Sequence, residues 1–295
     1  MKRSNPDELS IVEVDYSSRE SLAKAVFGAF AVLSCLWGLE EAMIHVQQRL
    51  LEAAIAAKIT RFVPSDYSVD FTRFPSGYNR NFDLRRKFHG VAKDVIENAS
   101  KGKEPIIQFT SVFCGCFMEI VQSGKFLVRF SDKEIAYYGD QDTGMDFTSI
   151  EDVAKYTAAV ALDKSRTPLK LHIAGAQVSP VQLQTIASKA TKEEFGIRWL
   201  MPFWLLWIVS WFLRIFFPGD KDDVAPLWQN IQYAYCYKFV QPEPELDNRR
   251  YKNISWISME DILREGYQAF VEEARQLDKT KDKASKKTNK KVKGT

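Results

Sequence analysis

Short apolar, β-rich runs alternate with segments of helical periodicity along the first 110 residues. Strands are predicted at 9–14, 29–34, 60–65 and 105–110. Helices are predicted between them at 19–27, 40–58 and 79–100. This alternation is typical of a parallel sheet whose strands are joined by crossover helices. Because such sheets bind ligands beyond the carboxyl ends of their strands, the residues that follow each run are the first candidates for a site.

The pattern is less regular after residue 120. Short strands are predicted at 125–130, 134–138 and 169–174. Two helices are predicted to begin after Ser149 and Ser179, because a serine hydroxyl at this position can accept a hydrogen bond from the first helical turn. A last helix is predicted at 261–277. The pattern therefore indicates an α/β fold with a second part of α+β type.

The aromatic segment at 203–217 is apolar on all sides except at Ser210 and Arg214. A helix of this kind must bury its surface somewhere. Its fifteen residues would span about 22 Å, which is short of the ~30 Å hydrocarbon core of a bilayer. A pocket wall or the interface of a homodimer is the first interpretation. An interfacial membrane helix and a membrane-spanning helix are the alternatives.

Charge is distributed unevenly along the chain. The net charge of +3 comes from 41 basic and 38 acidic residues, but 279–295 holds eight of the lysines and only one acid. The remaining chain therefore carries a net charge of −4, and a nucleic-acid partner is not expected. Because lysine-rich composition cannot bury apolar surface, 278–295 is predicted to be disordered. Two roles remain possible for this segment: it could attract an anionic membrane, or it could be a simple solvated terminus.

Cysteine and histidine content limits the possible classes of protein. Four cysteines are too few for a disulfide scaffold, and three scattered histidines form no metal-binding cluster, so no metal site is predicted. The opening residues, MKRSNPDE, are not followed by the apolar stretch of a signal peptide. We therefore expect a cytoplasmic protein, with membrane association as the alternative.

Several motifs together resemble one enzyme family. The sequence RFVPSDY at 61–67 is similar to a strand and turn of the NmrA-like group, which includes the isoflavone reductase-like enzymes within the atypical short-chain dehydrogenases. Further similar segments are SVDFTRFP at 68–75, NRNFDLRRKFH at 79–89, MDFTSIEDVA at 145–154, IAGAQVSP at 173–180, WQNIQY at 228–233 and LDNRRY at 246–251. The resemblance covers roughly residues 9 to 267.

The family's glycine-rich opening does not occur in this sequence. Members begin with a strand, a G-x-x-G-x-x-G turn, a helix and a second strand, and the turn brings backbone N–H groups to the cofactor's pyrophosphate. By comparison, this chain begins at about the third strand, so an N-terminally truncated Rossmann-like domain is expected. Bare edges or faces are then expected at 9–14 and 29–34. A longer native chain, another segment, a partner chain or an unstable domain would each account for the gap.

The resemblance implies NADP(H) as the cofactor and hydride transfer to a small molecule. The residues bordering the nicotinamide and its ribose would be Leu36, Trp37, Gly38, Pro64, Ser65 and Asp66. Arg85 aligns with a lysine that some relatives carry near the substrate, and Tyr67 could donate a hydrogen bond. An arginine binds anions but transfers protons poorly, since it is nearly always protonated. A solvated helix face for Arg85 and simple packing for Tyr67 are the alternatives.

Two domains and three functions are expected from these observations. Residues 1–155 would form the truncated Rossmann-like domain, and 156–277 the smaller substrate lobe, partly interleaved with it. The first function is an NADPH-dependent reductase whose cofactor binding is impaired in the sequence as given. The alternatives are a non-catalytic binding or regulatory scaffold, and a protein held at a membrane surface by the aromatic helix and basic tail.

Overall fold

The computed structural model describes the backbone of residues 10–292 and the side chains of residues 10–277, 279 and 280. In chain order the helices are α1 (Arg19–Val26), α2 (Gln47–Ala56), α3 (Arg80–Ser100), α4 (Glu119–Gln122), α5 (Ile150–Leu162), α6 (Pro180–Thr191), α7 (Phe203–Phe216), α8 (Leu227–Cys236) and α9 (Met259–Val292). The strands are β1 (Ala31–Leu33), β2 (Arg61–Val63), β3 (Gln108–Phe109), β4 (Ser111–Phe113), β5 (Cys116–Phe117), β6 (Val128–Arg129), β7 (Glu134–Tyr137), β8 (Met145–Thr148), β9 (Lys170–His172), β10 (Ala176–Val178) and β11 (Gly196–Trp199). A π-helical turn (Glu41–Val46) leads into α2, and 3₁₀ turns occur at Phe71–Arg73, Tyr237–Phe239 and Asp247–Arg250.

The chain folds into two compact units. The first comprises Met1–Phe113, Tyr156–Leu171 and Ser210–Cys236, and the second Cys114–Lys155, His172–Val209 and Tyr237–Thr295. The functional division between residues 155 and 156 stays a prediction.

The first unit contains the predicted parallel sheet. Strands β1, β2 and β3 pair side by side in that order, all parallel. Helices α2 and α3 connect them, as the strand–helix alternation predicts. The unit's core includes side chains that are at most 1% exposed: Leu51, Ala54, Phe62, Phe88 and Ala92. The α/β fold and its crossover connections are therefore confirmed.

Helix starts follow the polar residues that precede the apolar periodicity. The side chains of Ser18, Asn79 and Ser149 each accept a hydrogen bond from a backbone N–H in the first turn of α1, α3 and α5. At α6, Ser179 accepts from the N–H of Gln182, whose side chain accepts from the N–H of Ser179 in return. The predicted serine caps are confirmed, because such caps depend on neighbouring residues alone.

The second unit is built from short strands in mixed pairings. One sheet has the order β10, β8 and β5, and another has the order β11, β7 and β6. The antiparallel pairing of β6 with β7 confirms the strands predicted at 125–130 and 134–138.

The prediction of a strand at 9–14 is wrong for its described residues, 10–14. Ile11 is 92% exposed and Val12 is 56% exposed. A strand requires a neighbour for its backbone groups, and no strand in the described residues pairs with this segment. In β1, Val32 is buried, whereas Leu33 is 39% exposed.

The last helix is longer than the sequence pattern predicts. It continues through the lysine-rich segment to Val292, where no regular structure was expected. Lysine and alanine are good helix formers, and α9 contains no proline and a single glycine, Gly266. Local propensity therefore favours continuation of the helix even without an apolar face. Residues 293–295 lie outside the described residues.

Gly266 lies where α9 packs against α4. A Cβ added there would stand 2.3 Å from the carbonyl oxygen of Gln122. We expect Gly266→Ala to lower the free energy of unfolding by about 2 kcal/mol, because the steric cost exceeds the gain in helix propensity. Gly90→Ala in α3 is the matched control, since a Cβ there meets nothing within 4 Å. It should raise stability by about 0.5–1 kcal/mol. Urea unfolding followed by circular dichroism measures both, and effects of the same sign would contradict the expectation.

Candidate active site

The carboxyl ends of β1 and β2 are joined by hydrogen bonds. The hydroxyl of Ser65 donates a hydrogen bond to the carbonyl oxygen of Leu36 at 2.7 Å. The backbone N–H of Ser34 donates a hydrogen bond to the carbonyl oxygen of Val63 at 2.8 Å. The N–H of Ser65 in turn donates to the side chain of Gln47 at 3.0 Å. The structure therefore brings the two predicted strand ends together and fixes their backbones.

A buried carboxylate lies directly beyond β2. Asp66 is 1% exposed, and its Oδ2 accepts a hydrogen bond from the hydroxyl of Ser111 at 2.7 Å. The same oxygen lies 2.6 Å from Nε2 of His89 on α3. Because Oδ2 serves both neighbours, one carboxylate oxygen orients a hydroxyl and an imidazole from two other elements.

The imidazole of His89 is held by aromatic rings as well as by Asp66. Its ring centroid lies 5.3 Å from that of Phe71 and 5.5 Å from that of Phe109, both in edge-to-face arrangements. The side chain remains 23% exposed. Its Nδ1 makes no hydrogen bond to the described part of the chain. A histidine with one nitrogen on a buried carboxylate and the other free is a suitable proton donor or acceptor.

Several buried polar atoms near these strand ends lack a hydrogen bond of normal geometry within the described residues. They are Ser34 Oγ, Asp66 Oδ1, Tyr67 Oη and Thr157 Oγ1. Buried polar atoms usually have a hydrogen-bond partner, so these atoms are candidates to meet polar groups of a ligand.

The rim beside β1 is exposed. Trp37 is 62% exposed, and Cys35 is an exposed free thiol. A Cβ at Gly38 would lie 2.7 Å from Cβ of Ala42, so a larger residue there would displace the start of the next helix. The predicted residues Trp37 and Gly38 therefore border an accessible surface with an indole ring on it.

Arg85 does not lie on a solvated helix face, and Tyr67 is not exposed either. Arg85 is only 7% exposed, and its Nε donates to the carbonyl oxygen of Ser65 at 3.0 Å. Burial raises the pKa of the Tyr67 phenol, whose neighbours include Cys35 and Thr157. The phenol therefore stays neutral over the ordinary pH range. The catalytic roles of both residues stay predictions.

The sequence pattern did not single out His89 or Ser111. His89 stands four residues beyond Arg85 on α3, so the two side chains share one face of that helix. Whether this face takes part in a site stays a prediction, and the contact with Asp66 is made by His89, one turn beyond Arg85. The four-residue spacing between Arg85 and His89 was the feature of the sequence that could have pointed to His89. Among the described residues, no group of three or more potential metal ligands is close enough to hold a metal ion.

Parallel strands with crossover helices and polar groups at their carboxyl ends define a Rossmann-like α/β protein. The sequence matches the NmrA-like family over residues 2–198. The chain belongs to the NmrA-like family.

Two curated plant reductases are similar to part of the chain. A bifunctional pinoresinol-lariciresinol reductase of Linum usitatissimum is 29% identical over 166 residues, which cover 53% of this chain and 49% of that protein. Pinoresinol reductase 1 of Arabidopsis thaliana is 30% identical over 163 residues, which cover 52% of this chain and 48% of that protein. The matched region thus spans about half the length of these relatives.

Solved structures share the fold at low sequence identity. AtPrR2 with NADP+ and (+)pinoresinol has a TM-score of 0.65 at 20% identity, covering 84% of this chain and 79% of that one. The leucoanthocyanidin reductase–NADPH complex from Vitis vinifera has a TM-score of 0.64 at 17% identity, covering 85% and 83%. These likenesses confirm the Rossmann-like fold. In the part of the chain that the structure describes, every helix is too short or too polar to cross a membrane.

Proposed function

We propose that this protein reduces a small aromatic molecule with NADPH, with His89 as the proton-transferring residue. The observation that supports this most directly is the contact of His89 Nε2 with the buried carboxylate of Asp66, which Ser111 also contacts. This arrangement fixes the ring at a strand end where the fold class binds its ligands. The names of the plant relatives, which are reductases of phenolic compounds, support an aromatic substrate.

The residues at the strand ends fit the nicotinamide end of the cofactor. Trp37 offers an exposed flat ring, Pro64 and Ser65 form the turn beyond β2, and Asp66 Oδ1 is an acceptor for a polar group of a ligand. The cofactor would supply a hydride to the substrate. The side chains of this chain would orient the ring and exclude water from it.

The proton would come from the imidazole. In its doubly protonated form the ring would donate the Nδ1 proton to an oxygen or carbon of the substrate, while its Nε2–H donates to Asp66 and keeps the ring in place. Tyr67, neutral because burial raises its pKa, would act as a hydrogen-bond donor only. Arg85 would act as a positioning residue, since its guanidinium binds the carbonyl oxygen of Ser65 rather than facing a ligand.

The described residues of this chain offer no comparable binding site for the phosphate end of the cofactor. The 295 residues contain no G-x-x-G-x-x-G turn, and the helix that follows β1 begins with Glu40 and Glu41. Carboxylates at that place repel a pyrophosphate instead of attracting it. We therefore propose that this polypeptide holds the nicotinamide end and only weakly holds the phosphates.

Comparison of NADPH with reduced nicotinamide mononucleotide tests this assignment. We expect dissociation constants of ~100 μM or weaker for both, and within about threefold of each other, because the added phosphates and adenosine gain few contacts. Calorimetric titration of the 295-residue chain measures the two dissociation constants. The Trp37→Ala variant should weaken the binding of NADPH and of reduced nicotinamide mononucleotide equally. A low-micromolar constant for NADPH alone would overturn the assignment.

A further inference from the structure

Helix α7 presents a wide apolar surface that the described residues do not cover. Only Leu206 and Ser210, one turn apart, are buried among its residues. The exposed large apolar side chains in and just after this helix are Trp204, Trp207, Ile208, Trp211, Phe212, Ile215, Phe216 and Phe217. Soluble proteins rarely expose so many neighbouring aromatic residues, and such patches mark interaction sites. We call these eight residues the aromatic face.

The carboxyl-terminal half of α7 is firmly attached through Trp228 of α8. The hydroxyl of Ser210 donates to the carbonyl oxygen of Trp228 at 3.2 Å, and the indole Nε1 donates to that of Pro218 at 2.9 Å. The guanidinium groups of Arg214 and Arg80 lie 5.2 Å and 4.8 Å from the Trp228 ring. The exposure of the aromatic face is therefore built into the packing of the helix.

We propose that the aromatic face lies in the headgroup region of an anionic bilayer, with the lysine-rich tail as its electrostatic attachment. Tryptophan is enriched at the boundary between headgroups and acyl chains, and residues 203–219 contain no acidic side chain. The fourteen residues of α7 span about 21 Å, so the helix would lie in the surface and not across it.

Charge favours a membrane over a second copy of the chain. Residues 220–223 contain three aspartates and one lysine, so the helix end itself does not attract anionic lipid. Residues 279–295 would attract anionic lipid, because they contain eight lysines and one aspartate. In a dimer the two lysine-rich tails would carry like charges, which repel wherever they approach each other. It would also require a polar rim around its apolar centre, and Arg214 is the one charged side chain within α7.

Vesicle flotation of the full 295-residue chain is the first test. We expect co-flotation with phosphatidylcholine vesicles containing about 30% phosphatidylserine, and much less with phosphatidylcholine alone. The triple variant Trp204→Ser, Trp207→Ser, Trp211→Ser should reduce the bound fraction by about tenfold. Its matched control is Phe27→Ser, Leu162→Ser, Leu169→Ser, which removes exposed apolar side chains outside α7 and should bind normally.

Two further variants separate insertion from simple charge attraction. Trp204→Phe, Trp207→Phe, Trp211→Phe keeps the apolar surface, so it should float normally while losing most of the fluorescence quenching caused by brominated lipid. Replacement of the eight tail lysines by glutamine should remove the preference for anionic vesicles. If the serine variant still floats and the glutamine variant does not, the tail alone binds and the inference about α7 fails.

The second-copy alternative predicts a different result. Light scattering without lipid would then show a dimer that the serine variant converts to a monomer, and no variant would float. That outcome would overturn the membrane assignment while leaving the proposed reductase activity untouched. Conversely, failure of the cofactor titrations would not affect vesicle binding.

Discussion

His89→Gln is expected to lower kcat by about 10²–10³-fold, with KM and the affinity for NADPH nearly unchanged. A glutamine can still donate a hydrogen bond to Asp66, so the buried carboxylate keeps a partner and the fold is preserved. It cannot transfer a proton, and general acid–base catalysis by a positioned side chain contributes this order of rate. An effect on kcat alone identifies a group that acts in the transition state.

The assay follows NADPH oxidation at millimolar cofactor. Four candidate substrates are tested: a lignan such as pinoresinol, an isoflavone, a quinone and an aldehyde. His45→Gln is the matched control, because His45 is an exposed histidine in the π-helical turn before α2. It should retain full activity. Added imidazole should partly restore a His89→Ala variant. Equal rates for His89→Gln and the wild type would remove His89 from the mechanism, and no turnover of any substrate by the wild type would overturn the proposed function.

Arg61→Met is expected to lower the free energy of unfolding by about 3 kcal/mol. Arg61 is fully buried, and its guanidinium donates hydrogen bonds to the carbonyl oxygens of Val160, Asp163 and Ser165 at the carboxyl end of α5. It also donates to the side chain of Gln108 at 2.9 Å. Methionine preserves much of the side-chain volume but leaves several buried acceptors without donors, and each such loss is costly.

Urea unfolding monitored by tryptophan fluorescence measures this loss. Arg19→Met is the control, since the Arg19 side chain is 86% exposed and its ion pair with Glu52 at 3.6 Å should contribute little. A change below about 1 kcal/mol for Arg61→Met would mean that water replaces the guanidinium and that the site is not dry.

Local sequence patterns predicted most of the first unit because its elements depend on near neighbours. The apolar runs that became β1 and β2 are bounded by polar or turn-forming residues. The same holds for the helix caps in both units, because Ser18, Ser149 and Ser179 need only the next three residues to form their hydrogen bonds. The family motifs added the order of the elements, and the resulting α/β fold is confirmed.

Two segments differ from what their local pattern indicates, each for a physical reason. Residues 10–14 have β-forming composition, but a strand exists only when another strand accepts its hydrogen bonds. The lysine-rich segment has no apolar face, yet its helix propensity and the absence of helix breakers before Gly294 favour the continuation of α9. In both cases composition left the backbone's hydrogen-bond partners undetermined.

By itself, the sequence determined the class of fold and the apolar character of α7, and it indicated the strand ends at which a site is expected. Tertiary structure alone decided that Asp66 meets His89 and Ser111, which stand 23 and 45 residues away along the chain. It also decided that α7 buries Leu206 and Ser210 and exposes its tryptophans. Periodicity shows which face a side chain occupies, whereas only packing shows which other element that face meets.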